Sequence, residues 1–355
     1  MPHDPLVEPV TPMTQQACTA TLRVLSRRNA VQRPRIPRWL FLVALLAAQF
    51  SASPNDAPAA GPVGVITEID VGGGQAEVRR VSRQDWRPAG PLLALNAGDS
   101  VRASQDASVV VLLTGRRGSV RVDATNSPFE IPDPAVEETR LRRGWLLLEE
   151  SIKTLLKLSH DSAEAIVGTR GHASTLVVLT PHNGAVLPDS LVFEWVGGQP
   201  THYTIRLVGP AGVVFERKDF AGMRFVYPAD AVTLIPGVRY QFQVAGRAEP
   251  PAKAWFELVG AARAETVRRD LAELAAAVGS TVSPNTLVVT QVAYLASQEL
   301  ILDARLMLLA ALTEQPDEPT FHFFLGSLYE RLGLPDQAAE SFAQARASGR
   351  SRARR

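Results

Sequence analysis

Residues 301–348 read ILDARLMLLAALTEQPDEPTFHFFLGSLYERLGLPDQAAESFAQARAS, and this stretch carries one helical pattern twice. Ala304, Leu308 and Ala311 return 34 positions later as Ala338, Phe342 and Ala345. Pro316 closes the first copy, and Leu325, Gly326 and Tyr329 open the second. Two antiparallel helices approach closely only where their side chains are small. The pattern therefore puts Gly326 and Ala338 at the contact, with Tyr329 and Phe342 filling the space around it. Residues 285–299 and 301–314 form the first helical pair, and residues 320–333 and 335–348 the second. Val267, Leu271, Leu274 and Val278 recur at helical spacing and predict a preceding helix over 264–278 that caps one end.

This period and these residue types resemble the tetratricopeptide repeat, whose units stack into an array that docks other polypeptides. In such an array the first helix of each pair lines the concave side. The resemblance thus implies a partner groove near Val288, Gln291, Val292, Leu295, His322, Phe323 and Tyr329, with Tyr329 partly structural. Residues 321–324 are Phe-His-Phe-Phe. Successive helical side chains point about 100° apart, so at least one of these must face outward or meet a neighbour. Either a protein partner, a third repeat or a second copy of the chain would cover this face, so self-association is an alternative to a foreign partner.

Working outward, the chain has 355 residues, enough for two or three domains, and 46% of them are apolar. A net charge of +1 gives no bulk attraction to nucleic acid, and no nucleic acid is expected as a partner. Arginines at 23, 27, 28, 33, 35 and 38 precede ten unbroken apolar residues, 39–48, and no charge occurs between Arg38 and Asp56. A basic segment, an apolar core and then small residues is the layout of an export signal. Its positive end stays inside. Ten apolar residues suit a signal core better than a spanning helix of about 20. Cleaved signal peptide and retained membrane anchor over 39–55 are both open. Either predicts a periplasmic, cell-envelope location. Cys18 is the sole cysteine and lies in the leader, so the exported part forms no disulfide.

The region from 61 to 179 reads as β-rich. Val63, Val65, Ile66 and Ile69 start a strand, and Gly72-Gly73-Gly74 is a hairpin turn. Further strands follow over 76–81, 108–113 and 119–122. Leu155, Leu156 and Leu158 suit a helix while residues 144–148 suit a strand, so 146–158 fits either. Trp86-Arg-Pro-Ala, then Leu95-Asn-Ala-Gly98-Asp99-Ser-Val101 and Asp106-Ala-Ser108 before an apolar strand, resemble the FecR-type extracytoplasmic domain. The run 162–171 resembles a second mark of that family, with its Arg-Gly-Thr order changed to Gly168-Thr169-Arg170-Gly171 and His172 in place of an aromatic.

From 180 to 260 the alternation is clear. Leu191, Phe193 and Trp195 share a strand face, as do Tyr203, Ile205 and Leu207, and then Val238, Tyr240, Phe242 and Val244. Residues 209–212 make a hairpin turn, and residues 252–259 supply the last strand. Leu234-Ile-Pro236-Gly-Val-Arg-Tyr240 resembles the tyrosine corner of fibronectin type III domains, and Trp195 their core Trp. That resemblance implies an independent antiparallel sandwich. The whole chain then reads as a multidomain protein, with two all-β domains followed by an α-helical, tetratricopeptide-like hairpin array. A basic leader, signal or anchor segment and linker occupy 1–60. The FecR-like domain covers 61–179, the sandwich 180–260 and the repeats 261–348, and a basic tail covers 349–355.

No catalytic constellation is legible. The six histidines, His3, His160, His172, His182, His202 and His322, form no zinc signature. His160-Asp161-Ser162 are adjacent and so cannot take the three triad roles; a polar turn is the expectation. Gly72-Gly-Gly74 lacks the helix and lysine of a phosphate loop. Glu137-Glu138 and Glu149-Glu150 read as solvated pairs. No cofactor or metal is expected. The reading is a non-enzymatic envelope adaptor or scaffold. The alternative is a FecR-like regulator that senses an extracytoplasmic signal. Against it, only 38 residues precede Trp39 and six of them are prolines, which leaves little room for that family's inner helical domain.

Overall fold

The computed structural model describes residues 62–114, 118–133, 143–164, 176–189, 191–197, 202–246, 250–278 and 282–352. All of them fall within one compact unit. The leader, the apolar run 39–55, most of the 162–171 motif and residues 353–355 lie outside the described residues. Among the described residues, strands run from Gly64 to Leu258 with one helix among them, and five helices follow.

The first β region is two antiparallel sheets. One holds β1 (Gly64–Asp70), β4 (Ala94–Leu95), β6 (Ser108–Leu113) and β7 (Gly118–Val122) in the order β4-β1-β6-β7. The other holds β2 (Ala76–Arg79), β3 (Trp86–Pro88), β5 (Ser100–Ala103) and β8 (Phe129–Glu130) in the order β3-β2-β5-β8. Ile66, Val78, Leu95, Val101, Val109 and Val111 form an aliphatic core in this region. Because β1 and β2 lie in different sheets, the glycine turn after β1 carries the chain between sheets and does not close a hairpin. At the corner after β4, buried Asp99 accepts from the backbone N–H of Asn96 (2.8 Å) and Val81 (3.0 Å) and pairs with Arg80 at 2.7 Å. Gly98 reaches φ +79° there, a conformation that favours glycine.

Every residue of β6 is buried. Val109, Val111 and Leu113 enter the aliphatic core, while Leu112 joins Val65 in a larger core shared with the helices. A strand covered on both faces needs a continuous apolar run, which is how its sequence reads.

In the second β region, β9 (Val177–Thr180), β11 (Val192–Val196) and β14 (Arg224–Val226) form one sheet, ordered β14-β11-β9. β10 (Gly184–Val186), β12 (His202–Gly209), β13 (Gly212–Ala221), β15 (Arg239–Ala245) and β16 (Ala252–Leu258) form the other, ordered β10-β16-β15-β12-β13. The three alternating sets of the sequence meet in one aromatic core, with Phe193 and Phe242 ring centres 4.3 Å apart. Two details differ from expectation. The first strand begins at Val177, and β10 pairs with β16 in parallel, so the larger sheet is mixed.

Residues 143–164 are helix α1 (Arg143–Glu164), which settles the strand-or-helix question. Leu148, Ile152, Leu155 and Leu158 are buried at spacings of three and four, one helical stripe. After the strands come α2 (Ala261–Val278), α3 (Pro284–Ser297), α4 (Ile301–Glu314), α5 (Pro319–Arg331) and α6 (Pro335–Arg352). The last helix extends four residues into the stretch read as a tail. α1 packs on α2 and α3, so the helical layer takes in a segment from between the two β regions. No helix among the described residues is long and apolar enough to cross a membrane.

Candidate functional site

The seam between β1 and the helices begins with one extra residue. The β1–β6 register shifts between Ile66 and Glu68, a bulge that breaks strict alternation. Consequently both Thr67 and Glu68 turn toward α3. The Thr67 and Thr286 hydroxyls lie 2.8 Å apart. Glu68 accepts from the Thr286 N–H (3.1 Å), the Thr286 hydroxyl (2.7 Å) and the Ser283 hydroxyl. Ser283 is the N-cap of α3 and also accepts from the Thr286 N–H. A strand carboxylate thus sits at the positive end of a helix from another part of the chain. Burial pushes the Glu68 carboxyl above its ordinary range. The Thr286 hydroxyl pulls it back, and Glu318 adds to the rise.

Farther along the chain, α4 ties the helices to the second β region. Asp303 accepts from the Leu187 N–H at 3.1 Å, and burial lifts its carboxyl to about 6. Arg305, 3% exposed, donates to Glu194 at 2.9 Å and to the Tyr329 hydroxyl at 3.1 Å.

Beyond β1 an open apolar groove of about 500 Å³ lies against α5 and α6. Ile69, Val71, Pro88, Ala89 and Pro91 line the β side; Pro319, Phe323, Phe342 and Ala345 line the helical side, with Arg346 and Gly349 at the end of α6. Its helical wall is built by Gly326. A methyl group there would meet the Phe342 ring at 2.6 Å, so the missing side chain lets Phe342 sink into the α5–α6 contact. Phe323 packs beside it, ring centres 5.3 Å apart. Phe321 and Phe324 are buried, leaving Phe323 as the aromatic of that run that reaches the groove.

The residues expected to line a concave partner face are placed differently. Val292 and Leu295 are 0% and 1% exposed and belong to the core. Tyr329 is also buried, with its hydroxyl engaged by Arg305. Val288 and Gln291 are half-buried. His322 is held by the Pro316 carbonyl, 2.7 Å from Nε2. The physical reason is that α1 packs on α3 and α5, and β1 on α3, α5 and α6, so the chain itself occupies those helix faces. Of the seven, Phe323 alone lines the groove. Ile69, Pro88 and Phe342 were missed as groove residues. Only the glycine at 326, facing an aromatic one repeat helix later, carried a signal for any of them.

No protein-family model matches the chain. No curated protein matches it either. Among solved structures, a beta-1,2-glucanase from Parabacteroides distasonis aligns with 82% of this chain and 50% of its own length. The identity is 6% and the TM-score 0.19, too low to bear on fold or activity.

Proposed function

We propose that the chain is a non-enzymatic adaptor of the cell envelope that binds a protein partner in the groove between β1–β3 and α5–α6. The observation that carries this reading is the groove itself: open, apolar and walled by the aromatic pair Phe323 and Phe342. Aromatic side chains in desolvated pockets are the usual anchors of protein interfaces. In this reading the first β region is FecR-like, the second is a fibronectin III-like sandwich and the helices are tetratricopeptide-like. Three features support it: the Asp99 corner, the Tyr240 hydroxyl accepting from the Ile235 N–H at 2.8 Å, and the Phe342 ring seated on Gly326. The arginine-rich leader exports the chain, and residues 39–55 hold it at the membrane if they are retained.

Gly349→Trp tests the site. A Cβ at 349 meets nothing within 4 Å and Gly349 lines the groove, so this is the position at which to introduce bulk. Photo-crosslinking from position 323 in whole cells should trap a partner, and Gly349→Trp should abolish the adduct with the melting temperature unchanged. An undiminished adduct in that variant would exclude the groove.

A further inference from the structure

We infer that the groove selects a basic peptide segment, with an apolar side chain anchored against Phe323 and Pro88 and a Lys or Arg a few residues away set against Asp70. This deepens the proposed function and rests on it. Ile69 is a common wall of two adjoining cavities: the apolar groove, and a polar cleft of about 440 Å³. Glu68, Asp70, Glu318 and Arg121 bring the charge into that cleft, three carboxylates against one guanidinium. Arg346 lies in the apolar groove, so the sign of the charge changes along the path. An apolar site beside an excess of carboxylates is complementary to an apolar segment with a cationic flank.

The geometry also restricts how the occupant sits. β3 is the edge strand on this side, but Pro88 within it has no N–H to give. Strand addition is therefore disfavoured, and side chains must provide the anchor. Two open cavities in series suit an elongated chain better than a small ligand, which is normally buried over most of its surface. Alternate side chains of an extended peptide lie about 7 Å apart on one face. An anchor and a cation a few residues apart on one face would thus address the two cavities, which share Ile69 as a wall.

Asp70 is the residue to change. Glu68 caps α3 and Glu318 caps α5, whereas Asp70 is exposed and, among the described residues, accepts only a local N–H from Gly72 at 3.2 Å. Two fluorescent Gly/Ser peptides carrying Leu-Trp-Leu are the probes, one followed by Lys-Lys and its twin by Glu-Glu. The lysine peptide should bind the whole exported region roughly fivefold more tightly at low ionic strength, with the gap closing in high salt. Asp70→Asn should remove most of that preference, and Gly349→Trp should abolish binding of both peptides. Equal affinity for the twins, preference for the glutamate peptide, no binding of either, or binding that survives Gly349→Trp would each overturn the inference. Loss of the cellular crosslink in Gly349→Trp together with equal peptide affinities would sink this inference alone. An undiminished crosslink would sink the adaptor reading beneath it.

Discussion

The two β regions bury their cores by different means. The second is aromatic and alternating: Trp195, Tyr203, Phe193, Phe242 and Phe256 fill its interior, while β13 leaves most of its residues exposed. The first has an aliphatic core and a central strand, β6, that is buried on both faces. Its outer cover comes from helices, and one contact in that cover, Thr67–Thr286, spans 219 positions of sequence. One region fills its interior with its own residues apart from Leu302 of α4, and the other borrows much of its cover, so their stabilities should separate under the right perturbation.

The strongest way to break the comparison is truncation after residue 260. The second β region should retain a cooperative transition with Trp195 fluorescence shielded. The first should lose its fold, because Val65, Leu92 and Leu112 would keep only α1 of the helices that cover them. Limited proteolysis checks this, and equal protection of both regions would erase the distinction. Next in size is Trp195→Ala, 1% exposed at the centre of the aromatic core, expected to cost about 3–5 kcal/mol in denaturant melts.

Smaller effects sharpen the seam. Asp303 has a folded pKa of about 6, against roughly 3.9 for an unfolded aspartate. A raised carboxyl binds its proton more tightly when folded. Its stabilising share is therefore complete below about pH 4 and lost as pH rises through about 6. Asp303→Asn should flatten that slope, removing a loss of about 3 kcal/mol that the parent suffers between roughly pH 4 and pH 7. An unchanged pH profile would mean Asp303 is not the titrating group. Smallest is Glu68→Ala, which removes the carboxylate at the α3 N-terminus and should cost about 1 kcal/mol. Hydrogen exchange at the first turn of α3 should rise with it, while β15 stays protected.

The sequence was most informative where a pattern is local. The alternations around Trp195, Ile205 and Phe242 gave the second core, and the 34-residue spacing gave α3 to α6 to within a few residues. It was least informative where distant segments meet. The stripe Leu148, Ile152, Leu155 and Leu158 is helical in spacing, but nothing in it says that α2 and α3 are its partners. That omission also explains Val292 and Leu295: they are apolar positions on a first repeat helix, as expected, yet they sit in the core. The groove joins residues 69–91 to residues 319–349, and no periodicity links two such segments. Glu68 within the strand GVITEID was visible as an acid in an apolar run, but the bulge that aims it at α3 leaves no mark in the sequence.

The Thr67–Thr286 contact also sets a clock on synthesis. Ribosomes add about 5–20 residues per second, so on the order of 10–40 s separate the two threonines. β1 is among the earliest strands made and among the last to be finished. Within that interval α1 is the one described helix available to cover the first sheet, whereas the strands of the second β region are complete as soon as β16 emerges. A nascent chain of this protein is consequently most vulnerable near its beginning, and any delay before α3 lengthens the exposure.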